Sequence, residues 1–385
     1  MEFKKYKIKD IGKIVSGGTP STKINDYWGG NISWLTPKDL SNYVYMYISI
    51  GERNISKQGL KNSSAKLLPK NTVLLTSRAP IGYVAIANNE LSTNQGFKSV
   101  VCDNQICDYI FFYYWLKNNM TTIKNHASGS TFQEISGKSF KNIFINLPSL
   151  KIQKNISSIL MSIDNKIELN EKINQNLENI MKEIFIYLFV KFENIKKENF
   201  KDSKWGKIPK TFEIIKLEEI IEITSGKRPF CKSEIKNNEF NVPIIGASNI
   251  MGYTNEELYN NKILIIGRVG TLGIVQRKYN KSFPSDNTLV IKSNYYNFVY
   301  QILKLINYDS LNIGSTQPLI SQKIIKEIEI ILPSHNVLMK FEDLCNNFMQ
   351  KININTYENK KLTKLRDILL PKLMSGEIDV SKVEI

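Results

Sequence analysis

The feature that most constrains this 385-residue chain is an internal duplication. The sequence GSTFQEIS at residues 129–136 recurs as GSTQPLIS at residues 314–321, and each copy continues without a gap into an apolar stretch that ends in Leu-Pro-Ser. The offset of about 185 residues, close to half the chain, is far longer than the roughly 20–50 residues of a solenoid repeat. We therefore predict two similar domains, suited to a target that itself has two halves.

Further blocks recur on both sides of this segment and in the same order. They are Ile14–Pro20 with Ile223–Pro229, residues 31–40 with 241–250, Ser77–Val84 with Gly267–Val275, and Thr93–Gln95 with Ser285–Asn287. The third pair requires one inserted residue, and this alignment places Arg78 opposite Arg268. The common order indicates a duplicated domain.

The chain carries a formal charge of +16, which points to a polyanionic partner such as DNA or RNA. Its richness in Lys, Asn and Ile, expected of an AT-rich genome, weakens that signal. Arginine is more informative because only six occur among 52 basic residues, and its planar donors suit phosphate and guanine edges. Arg78 and Arg268 therefore either contact nucleic acid or hold a loop carboxylate, and the sequence leaves both interpretations open.

Composition disfavours several classes of protein. No apolar run reaches the roughly 20 residues of a membrane span, and the first residues lack the apolar core of a signal peptide. The four cysteines show no C-x-x-C spacing and only two histidines accompany them, which argues against a zinc site. We expect a cytoplasmic protein with reduced cysteines, no bound metal and no membrane contact.

The predicted fold class is α+β, with two similar domains separated by two long antiparallel helices in an internal pseudo-twofold repeat. In each half, short apolar runs punctuated by Gly, Pro and Asn give way to one long amphipathic helix. The predicted divisions are 1–149 for the first domain, 150–198 for the central helix, 199–333 for the second domain and 334–385 for the C-terminal helix and tail. Strands are expected at Val73–Leu75, Val84–Ile86, Ile263–Ile266 and Leu289–Ile291, and short helices at Ile110–Lys117 and Phe298–Leu305.

The two long helices are predicted from apolar residues that recur at alternating spacings of four and three. Pro148 and Pro333 stand just before them, and Pro371 is expected to end or kink the second helix. Helices of this length would overhang a small domain, so we expect their apolar seams to pack together as an antiparallel coiled coil. Asn170 and Asn355, one repeat offset apart, fall in these seams, where a polar residue fixes register at some loss of stability.

Motifs for catalysis are missing from the sequence. Gly137-Lys138-Ser139 resembles the end of a nucleotide-binding Walker loop, but Phe132 stands where its first glycine belongs. The chain has no G-x-G-x-x-G and no Pro-Pro of an amino-methyltransferase motif, and its Glu-x-Lys triplets are what a Lys-rich chain gives by chance. With two histidines at unrelated repeat positions, the sequence predicts a protein that catalyses nothing.

The segment from Ser16 to Leu40 contains the most distinctive loops. Gly and Pro make tight turns there, while Ser, Thr, Asn and Lys supply donors that could reach a DNA backbone or base edges. We expect Trp28 and Trp34 to lie in an aromatic core, and Thr36 and Lys38 to contact DNA. The full set of candidate DNA-binding residues, taken from both halves, is Gly17, Thr19, Thr36, Lys38, Arg78, Asn94, Lys227, Arg228, Ser248, Asn249, Arg268 and Asn287.

Four blocks together resemble a known family. SGGTPS, WGGNISW and PKDL, within residues 16–40, are similar to the start of a target-recognition domain in specificity subunits of type I restriction-modification enzymes. TSRAPIG at 76–82, the repeated block with GST, IS and LPS, and LLPKLMSGEI at 369–378 are similar to later parts of the same family, in the expected order. Each block alone is weak, but the four in sequence, with duplication, span nearly the whole chain.

This resemblance implies a non-catalytic DNA-binding subunit in which each domain reads one half of a bipartite site, while the helices set the gap and dock the modification subunits. It implies double-stranded DNA, two modification (methyltransferase) subunits and ATP-dependent restriction subunits as partners. S-adenosylmethionine, ATP and Mg are then expected only in those partners, with no cofactor in this chain. The assembled complex would be a type I site-specific deoxyribonuclease and adenine DNA methyltransferase.

The second domain departs from the first where TPKD at residues 36–39 is replaced by GASN at residues 246–249. The two domains should therefore read different sequences and give an asymmetric site. The base-contacting residues of the family do not transfer to this chain, because they are its variable part. Two other interpretations stay open: an antirestriction or decoy mimic of such a subunit, and a single-chain restriction enzyme.

Overall fold

The computed structural model describes residues 2–129, 133–314 and 317–383. It divides into two compact units, the first formed by residues 1–172 with 356–385 and the second by residues 173–355. Each unit contains one α+β domain and part of each long helix. The predicted class, with two similar α+β domains and two long helices, is confirmed. Of the repeated GST block, residues 130–132 and 315–316 lie outside the described residues.

The described residues of the first domain form three sheets and four short α-helices. Its strands are β1 (Lys4–Lys7), β2 (Gly12–Ser16), β3 (Trp28–Leu35), β4 (Tyr47–Ile48), β5 (Arg53–Ile55), β6 (Val73–Leu75), β7 (Val84–Ala87), β8 (Ser92–Thr93), β9 (Lys98–Cys102) and β10 (Phe144–Leu147). Its helices are α1 (Lys57–Lys61), α2 (Tyr109–Asn118), α3 (Met120–Asn125) and α4 (Gly137–Lys141). The strands are ordered β2-β9-β6-β7-β4, β5-β3-β8 and β1-β10, and α2 is buried along its length from Phe111 to Leu116.

The second domain repeats this plan. A hairpin of β11 (Phe200–Ser203) and β12 (Gly206–Pro209) comes first. The strands that follow are β13 (Glu213–Lys216), β14 (Glu222–Ser225), β15 (Val242–Ile245), β16 (Ile250–Thr254), β17 (Ile263–Gly267), β18 (Val275–Lys278), β19 (Phe283–Pro284), β20 (Thr288–Lys292) and β21 (Glu329–Leu332). Its helices are α6 (Tyr296–Leu305) and α7 (Gln322–Lys326). The orders β14-β20-β17-β18, β16-β15-β19 and β13-β21 reproduce those of the first domain, without a counterpart of β4.

Every strand and short helix predicted above is present. The apolar runs form strands because nearly all of their residues are buried, as in Val73 to Leu75 and Ile263 to Ile266. The helix expected at Ile110–Lys117 extends one residue further at each end, and that expected at Phe298–Leu305 begins two residues earlier. The differences fall at helix ends, where sequence signals are weakest.

Backbone hydrogen bonds correct the alignment of the two domains by one residue. Ser77 donates from its N–H to Gly96 O at 2.7 Å, and Arg268 makes the equivalent bond to Asn287 O at 2.8 Å. Arg268 therefore stands at the position of Ser77, and the prediction that it matches Arg78 was wrong.

The left-handed residues of the same loop agree with this correction. Ala79 has a φ of 51° and Gly82 a φ of 114°, and the equivalent residues Gly270 and Gly273 have φ values of 84° and 81°. No inserted residue is needed, and Val269 is the counterpart of Arg78. The sequence alignment matched the two arginines and so gave the wrong register. The correct register matches the residues with positive φ, which set the path of the loop.

The loop after β8 shows the same displacement. Asn94 N–H donates to Leu35 O at 2.9 Å, and Ser285 N–H donates to Ile245 O at 2.9 Å. Asn94 is thus equivalent to Ser285 and not to Asp286.

The long helices are α5 (Leu150–Phe189) and α8 (His335–Ser375), of 40 and 41 residues. At 1.5 Å per residue each is about 60 Å long. The sequence placed the end of the first at residue 198, but α5 ends at Phe189. The chain turns at Phe192, which has a φ of 54° and packs its ring against those of Phe200 and Phe212. Helix α8 continues through Pro371 to Ser375, so this proline does not end it.

Contacts within each unit show that α5 and α8 run antiparallel. In the first unit Asp164 contacts Arg366, and Asn170 contacts Asn359. In the second unit Asn174 contacts Asn355, and Phe185 packs against Phe341. Residue numbers rise along one helix as they fall along the other, as predicted.

The apolar seam of α5 differs from the prediction in the second unit. Ile180, which the spacing places in the seam, is exposed, whereas Met181, Phe185 and Phe189 are buried. Phe185 and Phe189 pack their rings against Phe298 and Phe341 of the same unit. This part of α5 faces the second domain as well as α8, which moves its buried face by one residue.

Candidate nucleic-acid interface

A groove of about 890 Å³ lies on the first domain, where the loops after β3, β6 and β8 meet α3 and the segment before α4. Four of the six candidates from this domain line it, namely Thr36, Lys38, Arg78 and Asn94. Residues from loops far apart in sequence thus share one concave surface.

The groove has an excess of basic groups. Lys38, Arg78 and Lys124 line it, and Glu134 is the one acidic residue among its described lining residues. Such an excess attracts phosphate groups. Lys124 and Gln133 also line it. The sequence analysis missed both: Lys124 lies outside the recurring blocks, and Gln133, although within the block at 129–136, differs from its counterpart Pro318.

Arg78 lines the groove and also forms an ion pair with the carboxylate of Glu134. Its Nη1 lies 3.6 Å from Glu134 Oε2, and Lys98 Nζ lies 3.6 Å from Glu134 Oε1. The Arg78 side chain is 39% exposed, whereas that of Lys98 is 8% exposed. The two interpretations left open for Arg78 by the sequence are therefore compatible.

Asn94 presents hydrogen-bond donors to the groove. Its Oδ1 accepts the Gly96 N–H at 2.8 Å, which fixes the orientation of the amide. The Nδ2 group makes no hydrogen bond to any residue that the structure describes. An amide NH₂ held in this way is suited to the N7, O6 and O4 acceptors on base edges.

Thr36 and Lys38 differ in whether their polar groups are available to bind DNA. The Thr36 hydroxyl and N–H both donate to Asp39 Oδ2 at 2.7 Å and cap a 3-10 turn at Pro37–Leu40. Lys38 Nζ lies 2.9 Å from Glu52 Oε2, both side chains are well exposed, and this contact raises the pKa of Lys38. Exposed pairs of this type contribute little to stability because solvent screens both charges, so Lys38 can exchange Glu52 for a phosphate, whereas Thr36 organises the loop.

Gly17 has a structural role that recurs in the second domain. A Cβ atom at Gly17 would lie 2.1 Å from Thr93 O, and one at Gly226 would lie 2.1 Å from Ser285 O. Both glycines let the end of a strand pack against the neighbouring loop. Thr19 donates from its hydroxyl to Gln95 Oε1, and neither Gly17 nor Thr19 is among the described lining residues of the groove.

The two tryptophans lie in an aromatic cluster, as expected. Trp34 is buried and donates from Nε1 to Gly18 O at 2.9 Å, and Trp28 donates from Nε1 to Ser21 O at 3.1 Å. Their rings meet edge to face at 5.1 Å, and Arg53 stacks 3.6 Å over Trp28. They fasten the loop after β2 to β3.

In the second domain the candidates lie on equivalent loops. Arg228 pairs with Asp286 at 3.6 Å, at the positions of Thr19 and Gln95. Gln276 Nε2 donates to Gly246 O at 2.8 Å, which holds the loop bearing Ser248 and Asn249. The remaining candidates are exposed or half-buried: Lys227, Ser248, Asn249 and Asn287 are exposed and Arg268 is half-buried. Within the described part of the chain, no carboxylate forms an ion pair with Arg268.

The charged cluster of the first groove is replaced by apolar residues in the second domain. The backbone bridge between Arg78 and Glu134 recurs as a bridge between Val269 and Leu319. In the sheets, Lys98 pairs with Ser16 and Leu289 pairs with Ser225, the equivalent of Ser16. Arg78, Lys98 and Glu134 thus correspond to Val269, Leu289 and Leu319. The sequence analysis missed Lys98 and Glu134, because their contact forms only in the folded chain.

The two seam asparagines make equivalent contacts. Asn170 Nδ2 donates to Asn359 Oδ1 at 2.8 Å in the first unit, and Asn355 Nδ2 donates to Asn174 Oδ1 at 2.8 Å in the second. Asn170 also donates to Glu358 Oε2 at 2.8 Å, and both seam asparagines are 1% exposed. A register role for Asn170 and Asn355 stays a prediction.

The residues that the structure describes contain no group of three or more His, Cys, Asp or Glu side chains placed to hold a metal ion. None of their helices is both long and apolar enough to cross a bilayer.

The duplicated α+β fold and the basic groove with its exposed amide are features expected of a nucleic-acid-binding protein. The family model described as type I restriction modification DNA specificity domain matches residues 1–179 and 209–364. Because these two matches cover most of the chain, the chain belongs to that family, and the resemblance noted in the sequence is confirmed.

Comparison with individual proteins agrees with this assignment. The chain is 37% identical over 407 residues to the type I restriction enzyme MjaIX specificity subunit of Methanocaldococcus jannaschii, across 98% of this chain and 94% of that protein. It is 23% identical to the HindI specificity subunit of Haemophilus influenzae, across 98% of this chain and 100% of that protein. The crystal structure of a type I restriction-modification S subunit from M. genitalium shares the fold, with a TM-score of 0.62 at 21% identity, across 97% of this chain and 96% of that chain.

Proposed function

We propose that this chain is the DNA specificity subunit of a type I restriction-modification complex, and that each domain reads one half of an asymmetric bipartite site. The observation that carries this proposal is the basic groove of the first domain, which gathers four residues chosen from sequence alone. The second domain keeps the backbone but changes the side chains at the same loops. A shared scaffold with different contact residues supports recognition of two different half-sequences.

The groove offers groups for two types of DNA contact, those to base edges and those to phosphates. Arg78 can donate to the O6 and N7 atoms of guanine, and the free Asn94 NH₂ group can donate to a base-edge acceptor. Lys38 and Lys124 supply charges for phosphates, which position the protein without reading sequence. A well-placed base contact is worth about 1–3 kcal/mol of discrimination.

The long helices are proposed to set the gap between the half-sites and to dock two modification subunits, with restriction subunits joining the same complex. Their antiparallel contacts, including the buried Asn170 and Asn355, support a spacer of fixed register. S-adenosylmethionine, ATP and Mg are proposed to bind only to those partners, which carry out adenine methylation and DNA cleavage. A cytoplasmic location of this chain is part of the same proposal.

The test is to map adenine methylation by long-read sequencing in cells that express this chain with its neighbouring modification subunit, and in cells with that subunit alone. A bipartite asymmetric motif that requires this chain is the expected result. If no motif appears although the two proteins co-purify, the chain is a decoy of such a subunit. If they do not co-purify, the proposed partner is wrong.

A further inference from the structure

We propose that Glu134 and Lys98 are positioning residues that fix the guanidinium of Arg78 for one base pair of the first half-site, with guanine as the base it reads. This inference rests on the proposed function and adds to it a mechanism of discrimination.

The three groups form a chain from the interior to the groove. Lys98, on β9, has a side chain that is only 8% exposed, and its Nζ lies 3.6 Å from Glu134 Oε1. The other oxygen of the same carboxylate faces Arg78 Nη1, and both Arg78 and Glu134 line the groove. Glu134 therefore joins a buried cation to one that is partly open to solvent.

The burial of Lys98 restrains Glu134, whose own side chain is 40% exposed. A buried ammonium without a counter-charge is strongly disfavoured, so Lys98 holds Glu134 in place. Glu134 in turn approaches Arg78 through Nη1, and no other described carboxylate forms an ion pair with Arg78. The remaining Nη2 and Nε donors of the guanidinium can then meet two acceptors on a guanine edge.

The second domain shows that the fold does not require these charges. Val269, Leu289 and Leu319 take the three positions, and Leu289 is fully buried where Lys98 is nearly so. The same backbone bridge forms between Val269 and Leu319 as between Arg78 and Glu134. Because an apolar trio serves the structure equally well, the charged trio of the first domain has a task beyond folding.

The decisive variant is the double substitution Lys98→Leu with Glu134→Leu, which installs the two leucines of the second domain and leaves net charge unchanged. The complex with its modification subunit is titrated against duplexes in which each base pair of the first half-site is changed in turn. We expect discrimination at one position to fall by roughly 5- to 100-fold, as for loss of a bidentate contact, with the second half-site unaffected. The charge-neutral control Lys281→Leu with Glu257→Leu removes an ion pair of the second domain outside the proposed contacts and should leave the first half-site profile unchanged.

A second comparison separates positioning from general structure. Arg78→Ala should lose the same discrimination, and adding the double substitution to Arg78→Ala should cause no further loss. A further loss, or a double variant that keeps the wild-type base profile, overturns the inference. If the leucine variant does not fold, Lys98→Met with Glu134→Gln, closer in shape, is measured in the same way. Absence of any base preference in the wild-type first half-site would instead overturn the proposed function.

Discussion

The two units solve the same packing problem with different chemistry where the helices meet. In the first unit, Arg366 Nη1 donates to Asp164 Oδ1 at 2.7 Å, and the Tyr114 hydroxyl donates to Asp164 Oδ2 at 2.7 Å. One repeat offset away, the second unit has Met349 and Met181, both buried in its core. These two positions therefore accept either an ion pair or two methionines. In the second unit the nearby charge comes from Arg277, which pairs with Glu178 and donates to Met349 Sδ at 2.8 Å.

A second contrast concerns how each domain is fastened to a long helix. In the second unit the carboxylate of Glu342, on α8, accepts the N–H groups of Asn297 at 3.1 Å and Phe298 at 2.8 Å at the start of α6. At the equivalent position on α5, Ser157 donates to Asp108 Oδ1 at 2.6 Å, and Asp108 itself caps α2. Among the described residues of the second unit, Glu342 alone accepts from the start of α6, whereas in the first unit Asp108 caps α2 and Ser157 supports Asp108. The second domain therefore depends more heavily on a single residue.

The largest effect is expected from Glu342→Ala. The substitution leaves buried N–H groups of α6 without acceptors, so we expect the second unit to lose about 3 kcal/mol. Ser157→Ala removes one supporting hydrogen bond and should destabilise the first unit by about 1 kcal/mol. Hydrogen exchange measured separately in α6 and α2 gives both values, and equal losses would remove this contrast between the units.

The pH dependence of stability provides a related test. Burial raises the pKa of Glu342 above its ordinary value, despite the opposing hydrogen bonds from Phe298 and Asn297. Between the ordinary and the raised pKa the folded state binds more protons than the unfolded state, so the free energy of unfolding falls as pH rises through that window. Glu342→Gln should flatten this slope for α6 exchange. If the slope is unchanged in Glu342→Gln, the pH dependence of stability arises from another titratable group.

An intermediate effect is expected from the Asp164–Arg366 pair. Asp164→Met leaves Arg366 and the Tyr114 hydroxyl without their shared acceptor and should destabilise the first unit by about 2–3 kcal/mol. Adding Arg366→Met copies the second unit and should restore part of that loss. Chemical denaturation of the four proteins in a double-mutant cycle measures the coupling, and strictly additive losses would show that the two units are not interchangeable here.

For DNA binding, Arg78→Ala and Arg268→Ala should affect different half-sites. Arg78→Ala is expected to weaken binding by about 1–3 kcal/mol at one base pair of the first half-site. Arg268 occupies the position equivalent to Ser77, one residue before that of Arg78. Arg268→Ala should therefore alter binding to the second half-site, but not at the base pair that corresponds to the one affected by Arg78→Ala. Competition titrations with half-site variants measure both, and unchanged binding with intact folding would return each arginine to a purely structural role.

The smallest change is expected from Lys124→Ala, which removes a charge from the groove. The slope of the logarithm of the binding constant against the logarithm of salt concentration should become shallower by about 0.9, the value for one phosphate contact. Base preference should not change, because phosphate contacts carry no sequence information. An altered base profile would identify Lys124 as a base-reading residue.

The sequence predicted the duplication, the α+β class and the long helices, and it named Thr36, Lys38, Arg78 and Asn94 as candidates without placing them together. These follow from local patterns, such as apolar runs bounded by turn residues, and from the family resemblance. The register between the domains could not be predicted, because it depends on hydrogen bonds between distant loops and on the left-handed conformations of Ala79 and Gly270.

The partners of Arg78 were missed for a related reason. Lys98 and Glu134 lie 36 residues apart in sequence and meet only when β9 packs beside the segment before α4. Thr36 was singled out for DNA, yet its hydroxyl is occupied by Asp39. Side-chain hydrogen bonding of this kind depends on the folded loop, which residue type alone does not specify.

The most direct test of the central claim is methylation mapping with a chain in which a second copy of residues 1–149 replaces residues 199–333, expressed with the modification subunit. If each domain reads its own half-site, the modified sites should contain the first half-sequence twice and lack the second. Retention of the original asymmetric motif by a folded, assembled complex would contradict the account, because base recognition would then lie outside the two domains.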